Sequence, residues 1–316
     1  MAGREGPSGP SRVSGVRDRV TAMSGVDVRE AWQDLLRRRA ALAASLGLYG
    51  AVIELWAERN AVIEPLAWTA EECRARWGRG VPLLAEARPT VDLDAAESLL
   101  SPLLELIAGA RPDTAEALAR FAEAWDRGAL GLAALFPAQG RIGALDDAIG
   151  LEADVVAFLA QSALRPFLEP CLGECRLHLR DDDWTLGVCP LCGAPPMFSD
   201  VTEDGRRRLA CHVCGTGWTF TRLRCPFCGT DDTKDLARLD FETPADQGYF
   251  MSTCGRCRAY IKELDRRVRW NGGPALVEDW GSPHFDMAAG SAGYWRPAPP
   301  VIVPPRPPSG RARAGA

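Results

Sequence analysis

Cysteine is the residue type whose number and spacing could do chemistry in this chain. Eight of the eleven cysteines form four Cys-x-x-Cys pairs between residues 189 and 257. The pairs are Cys189 with Cys192, Cys211 with Cys214, Cys225 with Cys228, and Cys254 with Cys257. Two intervening residues let a tight turn aim both sulfurs at one point, so two such turns can supply four thiolates to one tetrahedral metal ion. The spacing therefore predicts metal ligands, and the odd total of cysteines fits a reducing compartment better than a set of disulfides.

The order of the pairs suggests how they combine. Eighteen residues separate Cys192 from Cys211, and twenty-five separate Cys228 from Cys254, which is enough for a hairpin in each case. The simplest prediction is two sites in chain order, the first with Cys189, Cys192, Cys211 and Cys214 and the second with Cys225, Cys228, Cys254 and Cys257. An interleaved arrangement, as in cross-braced domains, is the alternative. The ten-residue link between Cys214 and Cys225 favours two stacked ribbons that share a wall.

Three of the four turns continue with glycine after the second cysteine. These residues are Gly193, Gly215 and Gly229, and glycine permits the positive φ that such a turn needs. The fourth turn has Arg258 at this position. We therefore expect the fourth turn to be strained or Gly255 to take up the unusual geometry.

The identity and role of the metal stay open at this level. Four thiolates suit zinc, and the same geometry holds a single iron that could carry one electron. Small β modules bury too little core to fold alone, so a structural metal that supplies folding energy is the leading interpretation. Thiol oxidoreductases carry a single Cys-x-x-Cys near a βαβ pattern. This chain has four such pairs and no βαβ pattern, so that class of enzyme is disfavoured.

Other cysteine and histidine residues are weaker candidates. Cys171 and Cys175 would share one face of a helix and, with His178, could form a third metal site, although packing of a helix end near the ribbons is the simpler interpretation. His212 lies inside the second turn and is expected to face solvent, and His284 has no partner that the sequence reveals. Neither histidine suggests catalysis.

Helices are predicted over residues 27–168, upstream of the cysteine pairs. Apolar residues recur there at helical spacing. Four helix starts carry the capping-box pattern of a short polar residue followed three positions later by glutamate, at Asp27/Glu30, Thr69/Glu72, Asp94/Glu97 and Asp113/Glu116. Cys73 falls on one of these helices, where we expect a small buried apolar residue.

Short strand-like runs replace the helical pattern after about residue 183. Arg207 to Cys211 and Trp218 to Leu223 would flank one hairpin, and Tyr249 to Cys254 and Tyr260 to Leu264 another. The predicted class is α+β, an all-helical domain followed by two tandem rubredoxin-like or zinc-ribbon modules. The predicted divisions are a disordered tail at 1–26, the helical domain at 27–183, the first module at 184–223, the second module with a C-terminal segment at 224–296, and a proline-rich tail at 297–316.

Composition excludes several classes of protein. No run of about 18 apolar residues and no secretory signal are present, so we expect a cytoplasmic protein without a membrane span. The formal net charge is −5, and residues 189–260 carry nine basic and nine acidic residues, so eight thiolates with two divalent ions leave this region acidic. Such a balance disfavours nucleic-acid binding by bulk charge. Phosphate-binding loops, dinucleotide motifs, zinc-protease motifs and nucleophile elbows are missing, so no enzyme is predicted.

The sequence around the cysteine pairs resembles the formate dehydrogenase accessory protein (FdhE) family. The resemblance includes Pro195-Pro196 after the first pair, Trp218 after the second, Arg224-Cys225-Pro226, Tyr260-Ile261-Lys262, and the segment ALVEDWGSPHFDMAAGSAGY at 275–294. It is firm over about 184–295 and weaker over the helical region.

This resemblance implies a cytoplasmic, non-enzymatic protein with two rubredoxin-like modules that hold iron or zinc. The eight paired cysteines match the family position by position, and Arg258 is the departure. The leading hypothesis is an assembly chaperone that binds the catalytic subunit of a formate dehydrogenase, a molybdenum or tungsten enzyme, before export. The alternatives are a rubredoxin-like one-electron partner of that client and a nucleic-acid-binding zinc ribbon.

Overall fold

The computed structural model describes most of the chain between the two termini. The described residues are 25–58, 63–86, 93–130, 135, 150–241 and 243–297. The tails predicted at 1–26 and 297–316 lie almost wholly outside this set. The domain boundaries drawn at residues 183 and 223 stay predictions.

The first half of the described chain is helical, as predicted. Its elements are α1 (Gly25–Arg38), a 3-10 segment (Ala40–Leu46), α2 (Gly47–Ala57), α3 (Ala70–Trp77), α4 (Leu83–Glu86), α5 (Leu93–Ala110), a 3-10 turn (Pro112–Thr114), α6 (Ala115–Asp126), α7 (Ala153–Cys171) and α8 (Gly173–Leu177). Helix α5 packs against α2, α6 and α7. Apolar faces of these helices meet in one core, where α1 to α7 bury leucine, valine or aromatic side chains and α8 buries Cys175.

Only one of the four predicted capping boxes forms. The Thr69 hydroxyl accepts the Glu72 N–H at 3.3 Å, and the Glu72 carboxylate accepts the Thr69 N–H at 2.8 Å. Helices α1 and α5 begin before Asp27 and Asp94, so these two caps are wrong. Asp113 lies in a 3-10 turn opened by proline, and α6 starts two residues later.

The helical stretch Ala40–Ala57 is long enough and apolar enough to cross a membrane, judged by its length and composition alone. Leu46, Val52 and Ile53 within it are buried in the helical core, and Glu54 pairs with Arg29. Core helices of globular proteins pass the same test, so the stretch is weak support for a span.

The second half of the described chain contains six strands in one sheet. They are β1 (Phe198–Val201), β2 (Arg207–Ala210), β3 (Gly217–Phe220), β4 (Leu236–Asp240), β5 (Tyr249–Cys254) and β6 (Tyr260–Asp265), in the order β3-β2-β1-β6-β5-β4. Both predicted hairpins are confirmed as the antiparallel pairs β2–β3 and β5–β6. The two ribbons meet through a parallel β1–β6 pair. They therefore join edge to edge, and the expectation of stacked ribbons is wrong.

The C-terminal segment forms α9 (Ala275–Trp280) and α10 (Pro283–Ser291), which connect the sheet to the helices. The Trp280 ring lies 5.1 Å from that of Tyr49 and 5.6 Å from that of Phe158, between ring centres. On the other side, Phe285 packs in a small core with Tyr249 and other sheet residues. The α+β class is confirmed, and the chain folds back so that its last helices bridge both halves.

Candidate metal centres

The first cysteine group is a compact cluster of four sulfur atoms. The Sγ atoms of Cys189 and Cys214 are 3.5 Å apart, as are those of Cys192 and Cys211, and all four lie within 4.8 Å of one another. Four sulfurs at about 2.3 Å from one tetrahedral ion would be about 3.8 Å apart. The observed spacing fits such an ion, and it is far longer than the bond of about 2.05 Å in a disulfide.

The second group repeats this arrangement. The Cys225–Cys257 and Cys228–Cys254 sulfur separations are both 3.7 Å, and the four atoms again lie within 4.8 Å. The structure thus brings the eight cysteines together in chain order and does not interleave them. Their role as metal ligands stays a prediction.

All four turns share one backbone pattern. The first cysteine donates its N–H to the carbonyl five residues later, at 2.8 to 2.9 Å, and accepts the N–H of the residue after the second cysteine, at 2.8 to 3.0 Å. This last residue has a positive φ in every turn: +80° at Gly193, +68° at Gly215, +75° at Gly229 and +60° at Arg258. Among the described residues Arg258 is the one non-glycine residue with a positive φ.

Arg258 itself therefore takes up the unusual geometry, and the alternative at Gly255 is wrong. Its guanidinium donates to the carbonyls of Ala292 at 2.8 Å and Gly293 at 3.2 Å, which follow the C-terminal end of α10. It also lies 4.2 Å from the ring centre of Tyr294. Because helix C-termini favour cations, these contacts offset the backbone strain.

Two substitutions separate strain from side-chain contacts at this position. Both Arg258→Gly and Arg258→Ala lose the contacts with α10, but only glycine adopts a positive φ without cost. The left-handed region costs other residues about 1–2 kcal/mol, so we expect Arg258→Ala to be less stable than Arg258→Gly by about that amount. Denaturant unfolding of the two metal-loaded variants measures the difference. Equal stabilities would show that the positive φ at residue 258 does not lower the free energy of unfolding.

Burial distinguishes the two sites. All four cysteines of the first site are buried, whereas in the second Cys228 is exposed and Cys257 half-buried. The helical region covers the first site directly: Leu83 and Leu84 donate their N–H groups to the carbonyls of Pro190 and Leu191 at 3.0 and 2.9 Å. The first site is thus enclosed by the helices, and the second is open on one side.

The second turn of the enclosed site is also bound from outside the sheet. Arg165 donates to the His212 carbonyl at 2.9 Å, and Arg176 to the Cys214 carbonyl at 2.7 Å. The His212 ring is buried, with Nε2 2.8 Å from an Asp279 oxygen, so the expectation that it faces solvent is wrong. Burial lowers the pKa of His212 to about 4 although Asp279 opposes this, so at neutral pH the uncharged ring donates to the carboxylate. His284 has a partner too, Asp246, at 3.2 Å.

The electrostatics of the clusters favour a bound cation. Burial raises the pKa of Cys189 and Cys192, since a thiolate loses its hydration there. In the open site, a hydrogen bond from Cys257 lowers the pKa of Cys225 to about 5 against the effect of burial. Each cluster by itself therefore holds fewer than four thiolates, and a thiophilic divalent ion such as zinc or iron would offset half of the charge of four thiolates.

Unequal burial predicts that the two sites release metal in order. A thiol reagent such as p-hydroxymercuribenzoate should reach exposed Cys228 before the buried sulfurs. We expect a fast release of about one ion per chain and a much slower release of the second, followed with a metal-sensitive dye. Cys228→Ser should remove the fast phase and keep the slow one. A single phase that releases both ions would contradict the difference in accessibility.

The three remaining cysteines form no further ligand group among the described residues. The Cys175 sulfur lies 3.1 Å from the carbonyl of Leu66, and the His178 ring 3.1 Å from that of Trp68, so neither side chain turns toward a shared ion. Cys73 is fully buried, as predicted, and burial raises its pKa to about 12. Within the described residues these contacts favour the packing interpretation over a third metal site.

A buried ionic network next to the first site was missed by sequence reasoning. Lys262 and Arg296 lie 2.8 and 2.6 Å from the same oxygen of Asp279, and Lys262 also pairs with Asp286 at 2.8 Å. The Asp279 carboxylate thus contacts two cations and His212. Several of these residues fall in the stretches that carry the family resemblance. That resemblance was the sequence signal that could have pointed to them.

Known proteins match this chain in sequence and in fold. The family model "FdhE, central domain" matches residues 188–222. Proteins named FdhE homologue are 31% identical in Pseudomonas aeruginosa, over 46% of this chain and 52% of the relative, and 34% in Stutzerimonas stutzeri, over 45% and 50%. In those two alignments the chain spans about half the length of the relative. A homologue from Pseudomonas putida is 29% identical over 82% of this chain and 87% of its own.

A solved structure extends the match to the fold. The crystal structure of the FdhE protein from Pseudomonas aeruginosa superposes with a TM-score of 0.54 at 22% identity, over 90% of this chain and 98% of that one. This likeness shows a shared fold. Together the sequence matches agree with the family resemblance of the cysteine turns and the segments around them.

Proposed function

From the similarity of this chain to FdhE proteins, we propose that it is a cytoplasmic accessory protein that binds the catalytic subunit of a formate dehydrogenase during maturation. In this proposal the two cysteine clusters bind one iron or zinc ion each through Cys189, Cys192, Cys211, Cys214, Cys225, Cys228, Cys254 and Cys257. The chain carries out no reaction of its own. It holds the client and protects the cofactor site before export.

The observation that supports this proposal most is the difference between the two sites. An enclosed site that is continuous with the helical core suits a structural metal, while the open site belongs to a surface. Next to the open site lies a cavity of about 200 Å³ lined by Phe227, Phe250 and two of the cysteines, and Leu223 at its edge is 65% exposed. Apolar surface beside a rigid metal turn is a suitable contact for a protein partner.

Capture of the client tests this function. The metal-loaded protein, immobilised and exposed to cytosol of a strain that makes formate dehydrogenase, should retain the catalytic subunit, identified by mass spectrometry. Leu223→Asp should weaken the capture at least tenfold. Met287→Asp is the matched control, since Met287 is 74% exposed on α10 and does not line the cavity. Recovery of nucleic acid in place of an oxidoreductase subunit would overturn the proposal.

The open site also supports the second candidate, one-electron transfer to the client. An iron ion there would lie beside the exposed sulfur of Cys228, within reach of a docked partner. Anaerobic, iron-replete preparation followed by metal analysis and absorption spectroscopy tests this role. A colourless protein with two zinc ions per chain would exclude it. A nucleic-acid-binding zinc ribbon has less support, because the chain is acidic overall.

A further inference from the structure

A large groove lies away from the open metal site, between the helical region and the first ribbon. Its volume is about 1040 Å³, and its walls come from α8 and the loop after it, from β2 and β3, and from the turn after β6. A groove of this volume is larger than a single side chain would fill, and it lies at the upper end of the range of volumes found for ligand sites. β3 is the outer strand of the sheet and lines the groove, so one wall is straight and extended.

The charge of the groove is opposite to that of the whole chain. Five arginines and three acidic residues line it, which leaves an excess of two positive charges in a protein of net charge −5. Arg206 pairs with both Asp181 and Asp204. Arg180 and Arg208 form no ion pair within the part of the chain that the structure describes. These two guanidinium groups can therefore receive carboxylates from a partner.

Two large apolar side chains in the groove are turned toward water. Trp270 is 79% exposed and Leu177 is 75% exposed, and both line the groove. Exposed tryptophan beside arginine is the residue combination that dominates binding energy at protein interfaces. The groove thus offers apolar anchors and positive charge together.

The two terminal segments of this chain do not complement the groove. Residues 1–24 contain four arginines and two acidic residues, and residues 298–316 contain three arginines and no acidic residue. Both segments are positive, as is the groove. A nucleic acid fits less well than a polypeptide, because it carries a phosphate at every residue and some would face Asp181, Glu203 and Asp204. A polypeptide can place its carboxylates opposite the arginines alone.

We propose that this groove binds an extended acidic segment of a protein client, with carboxylates on Arg180 and Arg208 and an apolar side chain against Trp270 and Leu177. The inference rests on the proposed function in one respect, that the chain has a protein client. It assigns to that client a second contact, separate from the open site, of defined charge and shape.

Binding of short peptides to the full metal-loaded chain tests the groove directly. The probe is a fluorescein-labelled ten-residue peptide of glutamate and aspartate with two leucines, compared with the same peptide with lysine in place of the acids. We expect the acidic peptide to bind with a strong salt dependence and the basic one not to bind. Arg180→Glu combined with Arg208→Glu should weaken binding at least tenfold, and Trp270→Ala about tenfold.

Matched controls keep these results specific. Met287→Ala removes an equally exposed apolar side chain outside the groove, and Arg79→Glu reverses an exposed arginine elsewhere, so both should bind as the wild type does. Should the Arg208 variant lose its fold by circular dichroism, Arg180→Glu alone, at an exposed position, replaces it. Equal binding of both peptides, or displacement of the acidic peptide by an equimolar ten-nucleotide oligothymidine, would overturn the proposal.

A binding experiment with the purified catalytic subunit of formate dehydrogenase distinguishes a failure of this inference from a failure of the proposed function. If the wild type binds the acidic peptide through the groove and fails to bind the subunit, the proposed client is wrong and the groove assignment stands. If the wild type binds the subunit and the groove variants bind subunit and peptide equally well, the groove assignment is wrong and the client stands.

Discussion

Replacing Cys192 by serine is expected to remove one metal ion per chain and to unfold much of the protein. Cys192 is fully buried in the first cluster, which shares its core with the helices. A structural zinc ion contributes on the order of 10–16 kcal/mol to folding. Such a loss matches or exceeds the typical net stability of a domain, about 5–15 kcal/mol. Metal analysis and far-ultraviolet circular dichroism measure the two effects.

Two control variants isolate the role of the enclosed site. Cys73→Ala changes an equally buried cysteine outside both clusters and should keep two ions, at a cost of about 1 kcal/mol. Cys228→Ser should also lose one ion, yet keep its helical signal, because the open site is exposed at this residue. A Cys192→Ser protein with two ions and unchanged helical content would show that Cys192 is not a ligand.

Replacing Asp279 by alanine is expected to destabilise the fold by about 3–5 kcal/mol, the range found when one partner of a buried ion pair is removed. Its carboxylate lies 2.6 Å from Arg296 and 2.8 Å from both Lys262 and His212. Without it, Lys262, which is 1% exposed, keeps only a half-exposed carboxylate partner. Denaturant unfolding of the metal-loaded variant measures the loss.

The comparison variant is Asp286→Ala, which removes the other partner of Lys262. The Asp286 side chain is 34% exposed, so we expect a cost nearer 1 kcal/mol. If Asp279→Ala lowers the free energy of unfolding no more than Asp286→Ala does, burial does not determine how much the ionic network contributes to stability.

The same network predicts how stability depends on pH. Burial opposes the ionised form of Asp279, but the charges of Arg296 and Lys262 hold its pKa well below the usual range. A carboxylate with a lowered pKa in the folded state stabilises the fold fully above its unfolded pKa of about 4, and this contribution declines as the pH falls below that value. The stability difference between wild type and Asp279→Ala should therefore be constant from pH 5 to 8 and shrink in more acidic solution.

The local chemistry of the cysteine turns could be predicted from the sequence. Each turn is closed by hydrogen bonds between residues at most five positions apart, so the glycines at 193, 215 and 229 and the spacing of the cysteines already contain the information. The β5–β6 hairpin is equally local and was predicted within a residue of its observed bounds. The capping boxes show the limit of this approach, since at Asp113 the neighbouring proline decided where the helix began.

Tertiary structure decided what distinguishes the two sites and what surrounds them. His212 and Asp279 are 67 positions apart, and Arg258 meets the end of α10 34 positions away, distances at which residue spacing predicts no contact. The parallel β1–β6 pair joins segments more than 60 residues apart and turns two ribbons into one sheet. The four short turns that hold the eight cysteines could be predicted from the sequence, because turn geometry depends on residues that are close together in the chain. Which cluster is enclosed, and where an arginine groove opens, depends on packing between elements far apart in the chain.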